Sequence, residues 1–376
     1  MSSTSFSHFR VIVIGASAGG VEALCNITRA LPENFPAAVF VVLHLSRDSP
    51  SMLPDILSRA GPLPANRAVD GEPIRSGRIY VAPPDFHLLI ERDQVRMSRG
   101  PRENNVRPAI DPLFRSAAIA YGSAVIGVVL TGNLYDGAAG LRSIKLRGGT
   151  TVVQDPRDAL FPSMPQSALR ETEIDHCVPL HEIPRVLVSL AKPLPAGAEV
   201  GAPSQGLQPC LPSGPPAVSN PQSRQTNMAK TKNAKTSMAT TEIDVVEAKI
   251  AEGNADSEAL LRQIASPAPY VCPECHGALW EIRDDGLIRF RCRVGHAYTL
   301  ESLLTEQDEA IEEALWTAVR ALEERATLNA RMAERIEQQQ LSGFVQHFRD
   351  RERESTHHAQ VVRRLLQGGI DKLAPK

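Results

Sequence analysis

The chain has 376 residues, enough for two domains, with 42% hydrophobic and 22% charged residues, the composition of a globular protein rather than a disordered one. A net charge of −2 gives no global case for nucleic-acid binding. The first ten residues, MSSTSFSHFR, lack the apolar core of a signal peptide, and no apolar run is long enough to span a bilayer, so the expectation is a cytoplasmic protein without membrane insertion.

Residues 8 to 192 alternate strand-like and helix-like segments. Strands are expected at Val11–Ile14, Ala38–Leu43, Arg78–Val81, Leu88–Ile90, Val95–Ser98, Val125–Leu130, Thr150–Val153 and His176–Val178. Helical patterns fall at Val21–Ala30, Leu53–Arg59, Pro112–Ala120, Ala138–Arg147 and Pro165–Arg170. This alternation predicts an α/β fold, a doubly wound and mostly parallel sheet, with the middle strands forming an antiparallel excursion. Residues 193–240 are rich in Pro, Ser, Gly, Asn and Gln and hold too little apolar surface for a core, so they read as a flexible linker. From Thr241 the chain resumes as a third segment, 241–376. A helix is expected over Glu242–Ile264. An apolar stripe through Ile311, Leu315, Val319, Leu322, Ala326, Met332 and Ile336 predicts a long helix, and residues 344–366 a second. The two read as a helical pair or coiled coil, a surface suited to homodimerisation or partner docking.

Chemistry gathers first at VIVIGASAGGVEAL, a strand that runs into a glycine turn and then a helix. That context lifts the Ser17 hydroxyl above a sheet edge and aims helix amides at it, which suits a nucleophile beside an oxyanion site. Two other readings stand beside it. A glycine turn of this kind can hold a pyrophosphate, but the spacing is not G-x-G-x-x-G, and Ser17 can simply cap the helix. A serine needs a base, and the base needs an orienting carboxylate. His44 ends the run VFVVLH, and Asp136 follows VIGVVLTG. Ser17, His44 and Asp136 therefore all lie just past the C-terminal ends of strands, which share one edge of a parallel sheet. Singly, His44 reads as a buried histidine and Asp136 as a helix cap; together they read as a triad. Asp85, His87, Arg107 and Asp111 are expected around the same cleft. The order Ser, His, Asp differs from those of the α/β-hydrolase, chymotrypsin and subtilisin types.

The stretches IGASAGGVEAL, VVLHLS, DGEPIRSGRIYVAPPDFHL, RPAIDPLFRSAA, GVVLTGNLYDGAAGL and QDPRDALFPSMPQSAL together resemble the catalytic domain of the chemotaxis protein-glutamate methylesterases (CheB). The resemblance covers residues 10 to about 190 in family order. It implies a serine hydrolase with Ser17 as nucleophile, His44 as general base and Asp136 as its orienting carboxylate. It further implies an oxyanion site near Ala18 and Asn133, no catalytic cofactor, and methylated chemoreceptor-like proteins as partners and substrates. Many members of that family also deamidate receptor glutamines. Two departures are visible. The sheet begins at residue 10, so the N-terminal receiver domain usual in the family is not expected. The family's aspartate loop commonly reads TGMGNDG, whereas this chain has TGNLYDG, with Asn133 at the methionine position and Leu134 in place of a glycine.

In the third segment, Cys272-x2-Cys275 and Cys292-x3-His296 form two ligand pairs flanking a hairpin around Asp284-Asp285-Gly286. Their spacing predicts a zinc ribbon with a closed, structural Cys3His site. His276 lies too close to Cys275 to be the first choice as ligand. The nearby charges, Arg283, Arg289, Arg291 and Arg293 against Glu274, Glu281, Asp284 and Asp285, nearly balance, which favours protein over nucleic acid as the ribbon's contact. The competing functional reading is a non-enzymatic adaptor that keeps the methylesterase fold.

Overall fold

The computed structural model describes residues 9–44, 52–192, 233–253, 256–284, 286–338 and 342–368. In chain order the first elements are β1 (Arg10–Ala16), α1 (Gly20–Ala30), β2 (Ala37–Leu43), α2 (Leu53–Ala60), β3 (Ala65–Arg67), β4 (Arg78–Val81), β5 (His87–Glu91), β6 (Gln94–Ser98) and α3 (Ile110–Tyr121). They are followed by β7 (Val125–Val129), α4 (Ala138–Leu146), β8 (Thr150–Gln154), α5 (Ser163–Glu171), β9 (His176–Val178) and α6 (Ile183–Leu190). Seven of the strands form one parallel sheet in the order β3-β4-β2-β1-β7-β8-β9.

The unbroken apolar runs of β1, β2 and β7 follow from burial on both faces. Alternate residues of each strand enter different cores. Ile12, Ile14, Val39, Val41, Ile126 and Val128 pack with Leu24 and Ile27 of α1, Leu57 of α2 and Leu187 of α6. Val11, Val13, Phe40, Val42, Val125 and Val129 pack instead with Phe114 of α3, Leu141 of α4, Ala168 of α5 and Leu88 of β5. Helices thus cover both faces, and the sheet is doubly wound. The antiparallel excursion is the two-stranded hairpin β5–β6, turned at Asp93 in the left-handed region, whereas β4 belongs to the main sheet. Two short elements without a strong pattern, β3 and α6, are additional to the sequence reading.

Beyond the sheet come α7 (Asn233–Glu252), α8 (Ser257–Ile264), β10 (Ser266–Val271), β11 (Ala278–Asp284), β12 (Leu287–Cys292) and β13 (Ala297–Thr299). The four strands form a second, antiparallel sheet in sequence order. The single helix expected over 242–264 is two helices. Gly253 adopts φ +76, a conformation that ends a helix, and the Asp256 carboxylate then caps α8 through the amides of Glu258 and Ala259. Of the expected linker, residues 193–232 lie outside the described residues, and 233–240 are the start of α7.

The chain divides into two compact units at Ser302, not within 193–240. The reason is a buried ionic cluster that joins α7 and the second sheet to α3 and the loop before it. Glu103 receives both Arg115, at 2.7 Å, and Arg291, at 2.6 Å. Glu247 of α7 receives Arg291 at 2.9 Å and also pairs with Arg289. Arg289 and Arg291 are therefore buried within this unit. Although burial opposes its charge, Arg115 and Arg291 hold the Glu103 carboxyl down at about 2.

The second unit consists of the rest of α9 (Leu300–Gln338) and of α10 (Ser342–Gly368). On α9 the buried positions Val319, Ala326 and Ala333 recur every seventh residue, and Ser355 and Ala359 are buried on α10. This seam of small side chains differs from the expected stripe, since Ile311 and Met332 are exposed. Arg363 pairs with Glu323 at 2.7 Å across the two helices.

Because the Glu103 carboxyl is held down, its stabilising contribution is fully present above about pH 4.3, the unfolded value, and is lost as pH falls toward 2. Glu103→Gln is expected to destabilise the protein at pH 7 by on the order of 3 kcal/mol. Urea unfolding at pH 7 and pH 3 checks this, and the gap between wild type and variant narrows at the lower pH.

Candidate functional site

The sheet switches direction between β1 and β7: from β1 the chain winds outward through β2 and β4, then returns to place β7 on the other side. Open parallel sheets bind ligands at the C-terminal edge of such a switch point. The register shows what lies there. Ala16 pairs with Leu43 and Gly15 with Val129, so Ser17 falls level with His44 on one side and Thr131 on the other. Backbone bonds extend both ladders past the strands, from the His44 amide to the Ala16 carbonyl at 3.2 Å and from the Ser17 amide to the Thr131 carbonyl at 3.0 Å.

The turn after Ser17 is tight. Its carbonyl accepts the Gly20 amide at 2.8 Å, and Gly19 takes φ +75, which favours glycine. Ala18 is tied to the aspartate loop, its carbonyl accepting the Thr131 hydroxyl at 3.1 Å. The same loop presses against the serine. A Cβ on Gly132 would lie 2.8 Å from the Ser17 Cβ and strike the Met164 sulfur, so only glycine fits. Asn133, next along, is exposed.

His44 Nε2 donates to Asp136 Oδ2 at 2.8 Å, with the carboxylate buried. Asp136 also accepts the Ile110 amide at 2.6 Å, the Asp111 amide at 3.1 Å and Asn104 Nδ2 at 3.2 Å. Burial opposes its ionisation, but the His44 bond and these amides hold it below the usual carboxylate range. The alternative reading of Asp136 as the cap of its own helix is replaced by an exchange. Neither α3 nor α4 has a side-chain cap from its own N-cap residue. Asp136, which precedes α4, accepts the first amides of α3. Asp111, in the first turn of α3, accepts the Gly137 and Gly140 amides of α4 at 3.1 and 2.7 Å. Gly140 allows the approach, since a Cβ there would lie 2.5 Å from that of Phe114. Burial first, and then the neighbouring Asp136 charge, push Asp111 well above the ordinary carboxylate value.

The other residues expected around the cleft have structural partners. His87 is fully buried, with Nε2 donating to the Pro101 carbonyl at 2.8 Å and Nδ1 accepting the Ala109 amide at 3.3 Å. It is a core histidine, and burial lowers its basicity. Arg107 grips Asp85 through Nε and Nη2 at 3.1 and 2.6 Å. The sequence reading missed Asn104 and Thr131. For Asn104 the available signal was the pair Asn104-Asn105, both in the left-handed region.

Leu134 also has positive φ, +67, at the position where the resemblance implies glycine. Its side chain is 40% exposed. A left-handed leucine costs on the order of 1 kcal/mol, so the loop is strained where it passes the candidate acid.

The second cluster lies in the antiparallel sheet. Donor atoms of Cys272, Cys275, Cys292 and His296 all lie within 4.8 Å of one another. Cys275 Sγ is 3.5 Å from Cys292 Sγ, and His296 Nδ1 is 3.6 Å from both Cys272 Sγ and Cys292 Sγ. A tetrahedral zinc with ordinary bond lengths has ligand–ligand edges of about 3.5–3.8 Å, so the donor set fits that metal. The opposite ring nitrogen, His296 Nε2, faces Glu274 at 3.5 Å, a carboxylate placed to orient the imidazole. His276 sits in a left-handed turn and is not among the four clustered donors.

Comparison with known proteins matches residues 12–187 to the family described as CheB methylesterase. A Leptospira interrogans protein named "Putative protein-glutamate methylesterase/protein-glutamine glutaminase" is 41% identical over 184 residues, 49% of this chain and 95% of that protein. An Anaeromyxobacter dehalogenans protein-glutamate methylesterase/protein-glutamine glutaminase is 40% identical over 186 residues, 50% of this chain and 54% of its own length. The crystal structure of the Thermotoga maritima CheB methylesterase catalytic domain is 36% identical, covers 48% of this chain and 98% of that one, and superposes with a TM-score of 0.47.

Leu134→Gly is expected to leave the protein as stable as wild type or more stable, by up to about 1 kcal/mol. Thermal unfolding of the two proteins checks it; a clear loss of stability would show that the leucine side chain has a packing role.

Proposed function

This chain belongs to the CheB methylesterase family, and from that premise we propose that it is a serine hydrolase that cleaves glutamate methyl esters on chemoreceptor-like signalling proteins. The observation that carries the proposal is the His44–Asp136 hydrogen bond at the edge where the register sets His44 beside Ser17. Because Asp136 holds a proton on Nε2, the lone pair of His44 is on Nδ1. His44 takes the Ser17 proton as Oγ attacks the ester carbonyl. The oxyanion is held by the Ala18 amide and by Asn133 at the start of the α1 field. Collapse of the tetrahedral adduct expels methanol, with His44 returning its proton to the leaving oxygen. Water, deprotonated by the same histidine, then releases the glutamate carboxylate. No cofactor is needed for either step.

Glutamine deamidation uses the same acyl-enzyme with ammonia as leaving group. The double name of the relatives supports it as a second activity. Among the described residues no helix is long and apolar enough to cross a membrane, so substrate encounter depends on the receptor's aqueous signalling region. The Cys272, Cys275, Cys292 and His296 cluster is assigned a structural zinc. Four protein donors leave no position for a reactive water, and the metal's contribution is to hold the two turns of the ribbon together. The α9–α10 pair offers a surface for homodimerisation.

Methanol release from carboxyl-methylated chemoreceptor signalling domains tests the esterase. Ser17→Ala and Asp136→Asn are each expected to lower kcat by on the order of 10⁴-fold. Release that survives Ser17→Ala would overturn the assignment. Purified protein is expected to carry one zinc per chain, and Cys292→Ser to lose it, as read by elemental analysis.

A further inference from the structure

Asn104 stands between the candidate triad and the metal-binding ribbon, and all the hydrogen-bonding capacity of its side chain is used. The two Nδ2 donors go to carboxylates, Asp136 Oδ1 and Asp111 Oδ2, both at 3.2 Å. The two Oδ1 acceptor positions go to the other side, to the Thr299 amide and the Ser302 hydroxyl, both at 3.3 Å. An amide has only these two donors and two acceptors. The partners also fix which way it points, since the flipped amide would set its oxygen against two carboxylates. An aspartate here would place a third carboxylate between two others. The side chain is 6% exposed, so none of these bonds is exchanged freely with solvent.

The backbone around Asn104 is joined to the ribbon as well. The Asn104 amide donates to the Ala297 carbonyl at 2.7 Å, and the Ala297 amide donates to the Arg102 carbonyl at 3.1 Å. This short parallel bridge begins one residue after His296. Arg102 also reaches Glu274 at 3.5 Å, the carboxylate that faces His296 Nε2. The loop 102–104 is therefore seated on the last turn of the ribbon, beside one of its four metal donors.

We propose that Asn104 is a positioning residue that ties the orientation of Asp136 to the seating of the metal-bound ribbon. The inference rests on the reading of Asp136 as the acid of the triad. Asn104 touches no reacting atom. It acts by withdrawing charge from one oxygen of Asp136 while the other oxygen holds His44. Without that donor the carboxylate presents more negative charge to the imidazolium. The ionisable groups around the pair are Asp111 on α3, His87 on β5, and Arg115 and Glu103 behind Asp111. None of these donates a hydrogen bond to Asp136 Oδ1, so none replaces Asn104. Unseating the ribbon removes the Thr299 and Ser302 donors and the Ala297 bridge, and frees Asn104 to swing from Asp136.

The test is histidine-selective NMR on the full, zinc-loaded chain, with the His44 ring signal assigned by comparison with His44→Gln. Asn104→Ala is expected to move the midpoint of the His44 titration to higher pH by several tenths of a pH unit to about one unit. Ser302→Ala, which cuts a single bond on the ribbon side, is expected to give a smaller move in the same direction. Zinc removal by a chelator is expected to shift wild type as Asn104→Ala does, and to add little to the variant, because two perturbations along one route are not additive. Parallel methanol-release profiles are expected to show kcat lowered 10- to 100-fold in Asn104→Ala with KM little changed. An unmoved His44 midpoint in folded Asn104→Ala would overturn the proposal. So would equal zinc-removal shifts in wild type and variant, which would place the coupling elsewhere. Ser302→Ala keeps the test open should Asn104→Ala fail to fold. Absence of methanol release from wild type would count against the esterase reading alone, because the NMR midpoint needs no substrate.

Discussion

A buried carboxylate at the switch point of the sheet is the constraint on which the rest of the first unit depends. Asp136 cannot keep its charge out of water unless donors surround it, and it has four: the His44 ring, two backbone amides at the start of α3, and the Asn104 side chain. Each donor comes from a different place in the chain, so satisfying one side chain fixes β2, α3 and the loop before α3 at once. The reciprocal contact of Asp111 with the start of α4 doubles the constraint. Two helices that lack caps of their own are locked together by each other's acids, and the two carboxylates respond oppositely. Asp136, with the better donors, is held ionised, while Asp111 beside it is pushed toward the neutral form.

This arrangement suits acyl transfer. Directional bonds set by backbone register place the base, and a glycine that tolerates no Cβ brings the aspartate loop against the serine. Positions fixed by parallel ladders change little on substrate binding, which is the preorganisation that a triad and an oxyanion site require. The ionic cluster of Glu103, Arg115, Glu247, Arg289 and Arg291 extends the same rigidity to the ribbon. Five buried charges from four segments make those segments one unit, and the loop carrying Glu103 and Asn104 belongs to the methylesterase region and the ribbon alike.

Much of this was legible in the sequence. Continuous runs such as VIVIG and VFVVL state burial on both faces, and the residue after such a run in a parallel sheet falls on the functional edge, which is how Ser17, His44 and Asp136 were found. The spacing of Cys272, Cys275, Cys292 and His296 likewise carries its own geometry. What periodicity could not show were contacts between segments far apart in the chain. Asn104 meets Thr299 and Ser302 across nearly two hundred residues, and nothing local marks it beyond an Asn-Asn pair suited to left-handed turns. His87 read as a cleft residue because it follows a strand, yet the strand is a hairpin arm packed on α3, and the ring is sealed in the core. The break between α7 and α8 was written in Gly253 and Asp256, but the helical pattern on either side masked it.

The central claim is that Ser17 is a nucleophile activated by a histidine that Asp136 holds in place. Reaction with a fluorophosphonate, followed by peptide mapping by mass spectrometry, tests it without requiring the natural substrate. The account predicts a single adduct on Ser17 that forms rapidly in wild type and slows by orders of magnitude in His44→Gln. A folded protein that stays unmodified, or that labels equally fast without His44, would contradict it.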